Sequence, residues 1–319
     1  MQAYHDVHTH NYLSNCCSDG TSTVENCIAA AQEAGLKILG FSNHAWDARV
    51  PFPSNAGFAP GFYQKQTVEL QMEQRKLIPA DTNGVKVLVG AETEYCGMYD
   101  VLGMTKESAK KFDYLLIPHT HVHMAKFVMP KPNGVEEAQR KLADEIAKIP
   151  GVSPERALSM ARSIPTPFKE LAPFLPDNRI PGLQDFLCDF MVNSFRSLMR
   201  NESLNEFCRE VPVSIAHPFQ PVGYGFVRYK CMEKISDETF GELFTMAAER
   251  GIGLEINGNS NHPQAFRLYG IAKECGCKFT LGSDTHCVEG IRSKAVAFTQ
   301  ALIDHLSLTE DDMMEFLRL

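Results

Sequence analysis

Short apolar runs of buried-strand length recur along the chain, each followed by a segment with helix boundaries, and this alternation is how a parallel sheet with crossover helices is written in sequence. The runs occupy residues 3–8, 38–42, 85–91, 114–118, 211–216, 253–257 and 278–282, which makes seven βα units. Barrels of alternating strands and helices often use a length near 319 residues as one unit, so residues 1–319 read as a single domain.

Helix boundaries support the same division. Ser22-Thr23-Val24-Glu25 has the pattern of a capping box that opens an Ala-rich helix closed by Gly35. Ser236 opens a helix that ends at Gly251, and a last helix is predicted from about residue 309 to 319, with acidic residues in its first turn. The interval from His123 to Glu210 breaks the rhythm. Its helix candidates, near 135–148, 154–162 and 183–199, read as a helical insertion over residues 124–210, between the fourth and fifth strands. A lid over a catalytic face and a packing or oligomer surface suit such an insertion equally.

A formal net charge of −8, with acidic and basic residues interspersed, argues against long-range attraction to nucleic acid or to an anionic membrane surface. A small anionic substrate remains compatible with it, because bound metal ions dominate the field around them. The first ten residues lack the pattern of a secretory signal and no apolar run reaches bilayer length, so the cytoplasm is the default location. The ten cysteines contain no Cys-x-x-Cys spacing and read as reduced thiols rather than a disulfide framework. The oligomeric state is left open.

Chemistry is concentrated where the strands end. His8-Thr9-His10 closes the first strand, and side chains two apart on an extended backbone point to one side. The second strand ends in Ser42-Asn43-His44, the third in Gly90-Ala91-Glu92, and the fourth in Pro118-His119-Thr120-His121-Val122-His123. The fifth ends in Ala216-His217-Pro218 and the seventh in Gly282-Ser283-Asp284-Thr285-His286. Taken singly, each histidine reads as a satisfied, partly buried side chain. Taken together that reading does poorly, since of eleven histidines only His5, His262 and His305 fall away from these ends. Imidazole with carboxylate suits zinc, manganese or iron. A carboxylate such as Glu92 can bridge two ions, and more than four ligands imply more than one.

In their order along the chain these segments resemble the PHP (polymerase and histidinol phosphatase) family, in particular its stand-alone histidinol-phosphatase-like members. The matching segments are His8-Thr9-His10, Asp19-Gly20 with the helix to Gly35-Leu36, Gly40-Phe41-Ser42-Asn43-His44-Ala45 and Gly90-Ala91-Glu92. They continue with Phe112-Asp113-Tyr114 and its downstream histidines, Ala216-His217-Pro218, Gly253-Leu254-Glu255-Ile256-Asn257 and Gly282-Ser283-Asp284-Thr285-His286. The resemblance implies an α/β fold, a distorted, TIM-like (β/α)7 barrel carrying two or three divalent ions (zinc, manganese or iron) at the C-terminal ends of its strands. It implies one ion held by His8, His10, Glu92 and Asp284, a second by Glu92, His121 and His217, and a third by Asp19, His44 and His286. His121 is chosen by its spacing after Asp113, with His119 read as structural and His123 as facing substrate. The spacer before Asp19 is longer than the family's, which leaves that aspartate open to displacement and lets Cys17 approach a metal, although Cys17 reads rather as a bystander. Glu255 is expected to hydrogen-bond a ligand rather than to coordinate an ion.

The same resemblance implies hydrolysis of a small phosphate monoester, histidinol phosphate being the family's namesake substrate. A hydroxide bridging the ions, available near neutral pH, would attack phosphorus in line. His123 or Asp19 would protonate the departing alkoxide. Arg292 and Arg196 are candidates to bind phosphate, although both also read as plain surface residues. Two other readings compete. An amidohydrolase-like C–N or C–O hydrolase also begins with His-x-His, but resemblance to it predicts a bridging lysine where this chain has Glu92. A non-catalytic metal-binding PHP module would be expected to have lost ligands, which this chain has not.

Overall fold

The computed structural model describes residues 1–50, 63, 65–96, 100–119, 140, 143–144, 146–163, 181–220, 232–258, 264–293 and 297–319. His121, His123 and His262, and most of the helix expected near 135–148, lie outside them.

Strands β1 (His5–Thr9), β2 (Ile38–Phe41) and β3 (Lys86–Val89) pair in parallel in that order. After Gly90 the chain resumes as β4 (Ala91–Glu92), then makes a small antiparallel hairpin of β5 (Tyr95–Cys96) and β6 (Val101–Leu102). Strands β7 (Leu115–Pro118), β8 (Val213–Ala216), β9 (Gly253–Asn257) and β10 (Phe279–Gly282) follow, and the second sheet has the parallel order β10-β9-β8-β7-β4. Every residue of β1, β2, β7, β8, β9 and β10 is buried, the pattern of strands covered on both faces. The sheets are stitched at their C-terminal ends. Asp284 N–H donates to the His8 carbonyl at 2.8 Å and His10 N–H to that of Thr285 at 2.9 Å, while Glu92 N–H donates to the Ser42 carbonyl at 3.1 Å.

The crossover helices bury one stripe each. In α1 (Val24–Glu33) the buried residues are Val24, Cys27, Ile28, Ala30 and Ala31, the spacing of a helix with one covered face. Further helices are α2 (Val68–Leu77), α3 (Lys106–Ala109), α4 (Pro154–Ser163), α5 (Pro181–Arg200), α6 (Glu202–Phe207), α7 (Asp237–Glu249), α8 (Ala265–Glu274), α9 (Val288–Ser293) and α10 (Ala297–His305). Helices α4 and α5 fall within the interval read as an insertion. Phe195 of α5 stacks on Phe219 with centroids 5.3 Å apart, and Ser194 Oγ donates to the His119 carbonyl at 2.9 Å. This helix therefore braces the segments that follow β7 and β8.

The structure departs from sequence expectation at four places. The cap of α1 is Thr23, whose hydroxyl accepts from Asn26 N–H, while Ser22 turns back to the Asp19 carboxylate. The strand expected over 85–91 is interrupted at Gly90, where a Cβ would overlap the Tyr114 ring. The β5–β6 hairpin, two residues per strand, is too short to leave an apolar run. The helix expected over 309–319 is instead two 3-10 turns, Glu310–Asp312 and Glu315–Leu317. Between them Met313 is extended and buried, and Met314 N–H donates to the Phe279 carbonyl at the start of β10 at 3.0 Å. Burial of Met313 and pairing with a strand outweigh the helical propensity of the acidic turn.

His5, on β1, is a core residue whose Nε2 accepts from Leu281 N–H at 3.0 Å. Burial lowers its pKa from 6.5 to about 3, and protonating Nε2 would set two N–H groups against each other. A folded-state pKa below the unfolded one means a stabilising contribution that is complete above about 6.5 and is lost as pH falls toward 3. His5→Gln retains an acceptor and does not titrate. Its unfolding free energy in denaturant is expected to vary less steeply with pH across that window than the wild type's, and equal slopes would disprove the assignment.

Candidate metal centre

The strand ends project a carboxylate into a nest of imidazoles. Glu92 is 1% exposed, and its Oε2 lies 3.1 Å from His44 Nδ1, 3.4 Å from His10 Nε2 and 3.5 Å from His8 Nε2. Its Oε1 lies 3.3 Å from His217 Nε2. A second carboxylate faces the first two histidines from the end of β10, with Asp284 Oδ1 3.4 Å from both His8 Nε2 and His10 Nε2. His286 stacks on His10, centroids 4.4 Å apart and planes at 14°. Thus His8, His10, His44, Glu92, His217, Asp284 and His286 meet although the sequence spreads them from residue 8 to residue 286.

Apart from His44 at 3.1 Å, these spacings fit a cation better than direct hydrogen bonding. Nitrogen-to-oxygen hydrogen bonds cluster at about 2.7–3.2 Å. Donors held about 2.0–2.2 Å from one tetrahedral ion lie about 3.3 Å apart. His8 Nε2 and both ring nitrogens of the buried His10 make no hydrogen bond among the described residues. His8, His10 and Glu92 present donor atoms that all lie within 4.8 Å of one another. Imidazoles flanking carboxylates are a donor set that zinc, manganese or iron would accept.

Glu255 on β9 decides how His8 presents itself. Its Oε1 lies 2.7 Å from His8 Nδ1, which fixes the proton there and turns Nε2 toward Glu92 and Asp284. Burial alone would lower the pKa of His8, but the charges of Glu255, Asp284 and Glu92 overcome it and raise it well above the ordinary value. His10 has no such carboxylate on its far nitrogen, and burial lowers its pKa. Burial pushes Glu92 upward, yet His44 and His8 drive it well below the usual carboxylate range. The other Glu255 oxygen accepts from His217 N–H at 2.6 Å and Asn257 Nδ2 at 3.2 Å. Gly282 makes room for this arrangement, since a Cβ there would overlap Glu255 Oε1 and stand 2.5 Å from His8 Cβ. Two of the converging residues hold left-handed backbones, Asp284 at φ 52° and His217 at φ 29°, a strain that neighbouring structure must sustain.

The remaining sequence candidates are placed as follows. Asp19 spends its carboxylate locally, accepting from Thr21 N–H at 2.9 Å, Thr21 Oγ1 at 2.6 Å, Ser22 Oγ at 2.9 Å and Val288 N–H at 3.4 Å. These bonds, the Thr21 hydroxyl foremost, lower its pKa to about 2. His119 accepts from Phe219 N–H at 2.9 Å between the Phe195 and Phe219 rings, a packing position. Arg292 pairs with Glu33 at 2.5 Å and with Glu289 at 3.7 Å, and Arg196 forks onto Glu242 at 3.1 Å. A phosphate would have to draw either guanidinium from its carboxylate. His121 and His123 lie outside the described residues.

Sequence reasoning passed over three side chains at this site. Asp6 Oδ1 accepts from His8 N–H at 3.2 Å and Ser283 N–H at 3.0 Å, coupling β1 to the Asp284 segment. Tyr63 donates to Glu94 at 2.5 Å and stands edge-on to His44, centroids 6.0 Å apart. Cys16 Sγ lies within 4.8 Å of a ring nitrogen of both His10 and His286. Alternation from Glu92 points to Glu94, but no sequence signal marks Tyr63 as its partner.

Residues 6–155 match the PHP domain family, and this part of the chain is a PHP domain. His217, Glu255, Asp284 and His286 lie beyond the matched segment and reach the same cluster through the fold. Solved structures that match include histidinol phosphate phosphatase (HISK) from Lactococcus lactis subsp. lactis Il1403, complexed with zinc, L-histidinol and phosphate. That likeness is 15% in sequence identity, covers 97% of this chain and 95% of that one, and has a TM-score of 0.45. No curated protein matches the chain.

If Glu255 sets the orientation of His8, Glu255→Gln weakens metal retention about 10- to 100-fold while far-ultraviolet circular dichroism stays unchanged. Dialysis of the metal-loaded protein against graded chelator measures this, and wild-type retention in the variant would refute it.

Proposed function

We propose that this chain is a metal-dependent phosphoesterase that hydrolyses a small phosphate monoester on a distorted (β/α)7 barrel. The observation that carries the reading is one buried carboxylate, Glu92, with four imidazoles within 3.1–3.5 Å of its two oxygens. A glutamate in that position also favours this reading over the amidohydrolase-like one, for which a lysine is expected. The barrel is supported by the parallel pairing and by the backbone bonds that join β1 to the segment after β10 and β2 to β4.

His8, His10, Glu92 and Asp284 would hold one ion, and Glu92 with His217 would hold a second, to which His121 is assigned. Divalent zinc, manganese or iron, when bound, supplies Lewis-acid stabilisation of the phosphoryl oxygens and lowers the pKa of water to make the nucleophile. The residues of the chain do the rest. Glu255 holds a His8 proton on Nδ1, so that Nε2 is the nitrogen turned to the centre, where an ion would take the place of its proton. Asp6 fixes the backbone of His8 relative to Ser283, which holds the spacing to Asp284. Of the two acids considered for the leaving group, Asp19 is ionised at neutral pH by its local hydrogen bonds, which favours His123. Histidinol phosphate heads the list of substrates to try.

The test quantifies metals in the purified protein and assays a panel of phosphate monoesters, phosphate diesters and amides after restoring zinc, manganese or iron. Turnover of monoesters is expected, with His8→Ala losing it by at least about 100-fold while remaining folded. Turnover of amides alone, or wild-type rates in His8→Ala, would overturn the proposal. Metal uptake without any turnover would favour a binding module.

A further inference from the structure

We infer that Cys16 is a thiolate ligand of a divalent ion held with His10 and His286, so that one subsite of the centre combines sulfur and nitrogen donors. This rests on the metal-centre reading above and differs from it in one assignment: His10, given there to the ion of His8, Glu92 and Asp284, ligates the Cys16 ion instead, which leaves His8, Glu92 and Asp284 to the first. Cys16 Sγ and one ring nitrogen each of His10 and His286 all lie within 4.8 Å of one another. His10 supplies an independent indication, being 1% exposed with neither ring nitrogen in a hydrogen bond among the described residues. Its ring lies nearly parallel to that of His286, which sets the two side chains next to each other.

The loop bearing Cys16 is built to keep it there. Ser14 N–H donates to the Asn11 carbonyl at 2.8 Å and Cys17 N–H to the Ser14 carbonyl at 3.0 Å, winding the chain tightly. Cys17 Sγ donates to the His286 carbonyl at 2.9 Å, which pins the loop to the same residue from its backbone side. It is therefore Cys16, not Cys17, that faces the imidazoles. Ser14 Oγ, which donates to Gln66 Oε1 at 3.2 Å, stands 3.0 Å from Cys16 Sγ. The carboxylate of Asp19, assigned to this ion by family resemblance, is engaged by Thr21, Ser22 and Val288.

An ion at about 2.3 Å from sulfur and about 2.0 Å from nitrogen sets those donors about 3.5 Å apart. Reaching that spacing asks for a shift of at most about 1.3 Å from Cys16 and His286, the partly exposed members of the trio. On binding, the S–H bond of Cys16 is replaced by a sulfur–metal bond, and the proton passes to solvent. A thiolate also biases the subsite toward zinc and away from manganese.

Cobalt(II) added to the metal-stripped full-length protein tests this without an assay of turnover, because thiolate bound to cobalt absorbs in the near ultraviolet and imidazole or carboxylate alone does not. The wild type and Cys17→Ser are expected to develop this band. Cys16→Ser is expected to bind cobalt without it, and Cys16→Ala serves as a second variant should the serine misfold. A band that survives in Cys16→Ser or Cys16→Ala, or a wild type that takes up cobalt without one, overturns the thiolate ligand and leaves the metal centre standing. A wild type that takes up no cobalt overturns both.

Discussion

A buried carboxylate is costly unless charge or hydrogen bonds compensate it, and most of what is distinctive here follows from how Glu92 is compensated. Its partners are imidazoles delivered by the ends of β1, β2 and β8, three of the four at distances longer than ordinary hydrogen bonds. A parallel arrangement is suited to this. All its strands point the same way, so residues that follow each strand gather at one mouth however far apart they lie in sequence. The crossover helices cover the other surfaces, which leaves β1, β2 and β7 to β10 buried throughout.

The two carboxylates at the mouth of the fold and the one behind it have different tasks. Glu92 and Asp284 both face His8 and His10 on the nitrogens turned toward the centre, while Glu255 holds the opposite nitrogen of His8. Two buried histidines of one strand end thereby acquire opposite shifts in proton affinity, with His8 raised and His10 lowered. Compensation of this kind demands exact placement, and the backbone bears the load. Asp284 and His217 adopt left-handed conformations that ordinary side chains avoid, held by the Asp284-to-His8 and His217-to-Glu255 hydrogen bonds.

Much of this was legible in the sequence because it follows from periodicity. Runs such as 253–257 and 278–282 announce strands by composition, and a histidine or carboxylate just beyond each run must lie at a strand end. What remained hidden depended on contacts between distant segments. Nothing local says that Met314 will pair with Phe279 and so deny the last residues an α-helix. Nothing local separates Ser22 from Thr23 as a cap, because the choice is made by the Asp19 carboxylate drawing Ser22 away. The same aspartate illustrates the limit of motif transfer. Its residue type suits a metal, yet four nearby donors occupy it, while a cysteine three residues earlier faces the imidazoles.

The seam between β1 and the segment after β10 has a consequence for when this site comes into being. His8 and His10 leave the ribosome early, but Asp284 and His286 follow more than two hundred and seventy residues later. No nascent intermediate and no N-terminal fragment holds the cluster, because β1 gains its last neighbour only after β10 has been synthesised and folded. Loading of any ion into the full set of donors therefore waits for the last strand, and is coupled to completion of the fold rather than to its nucleation.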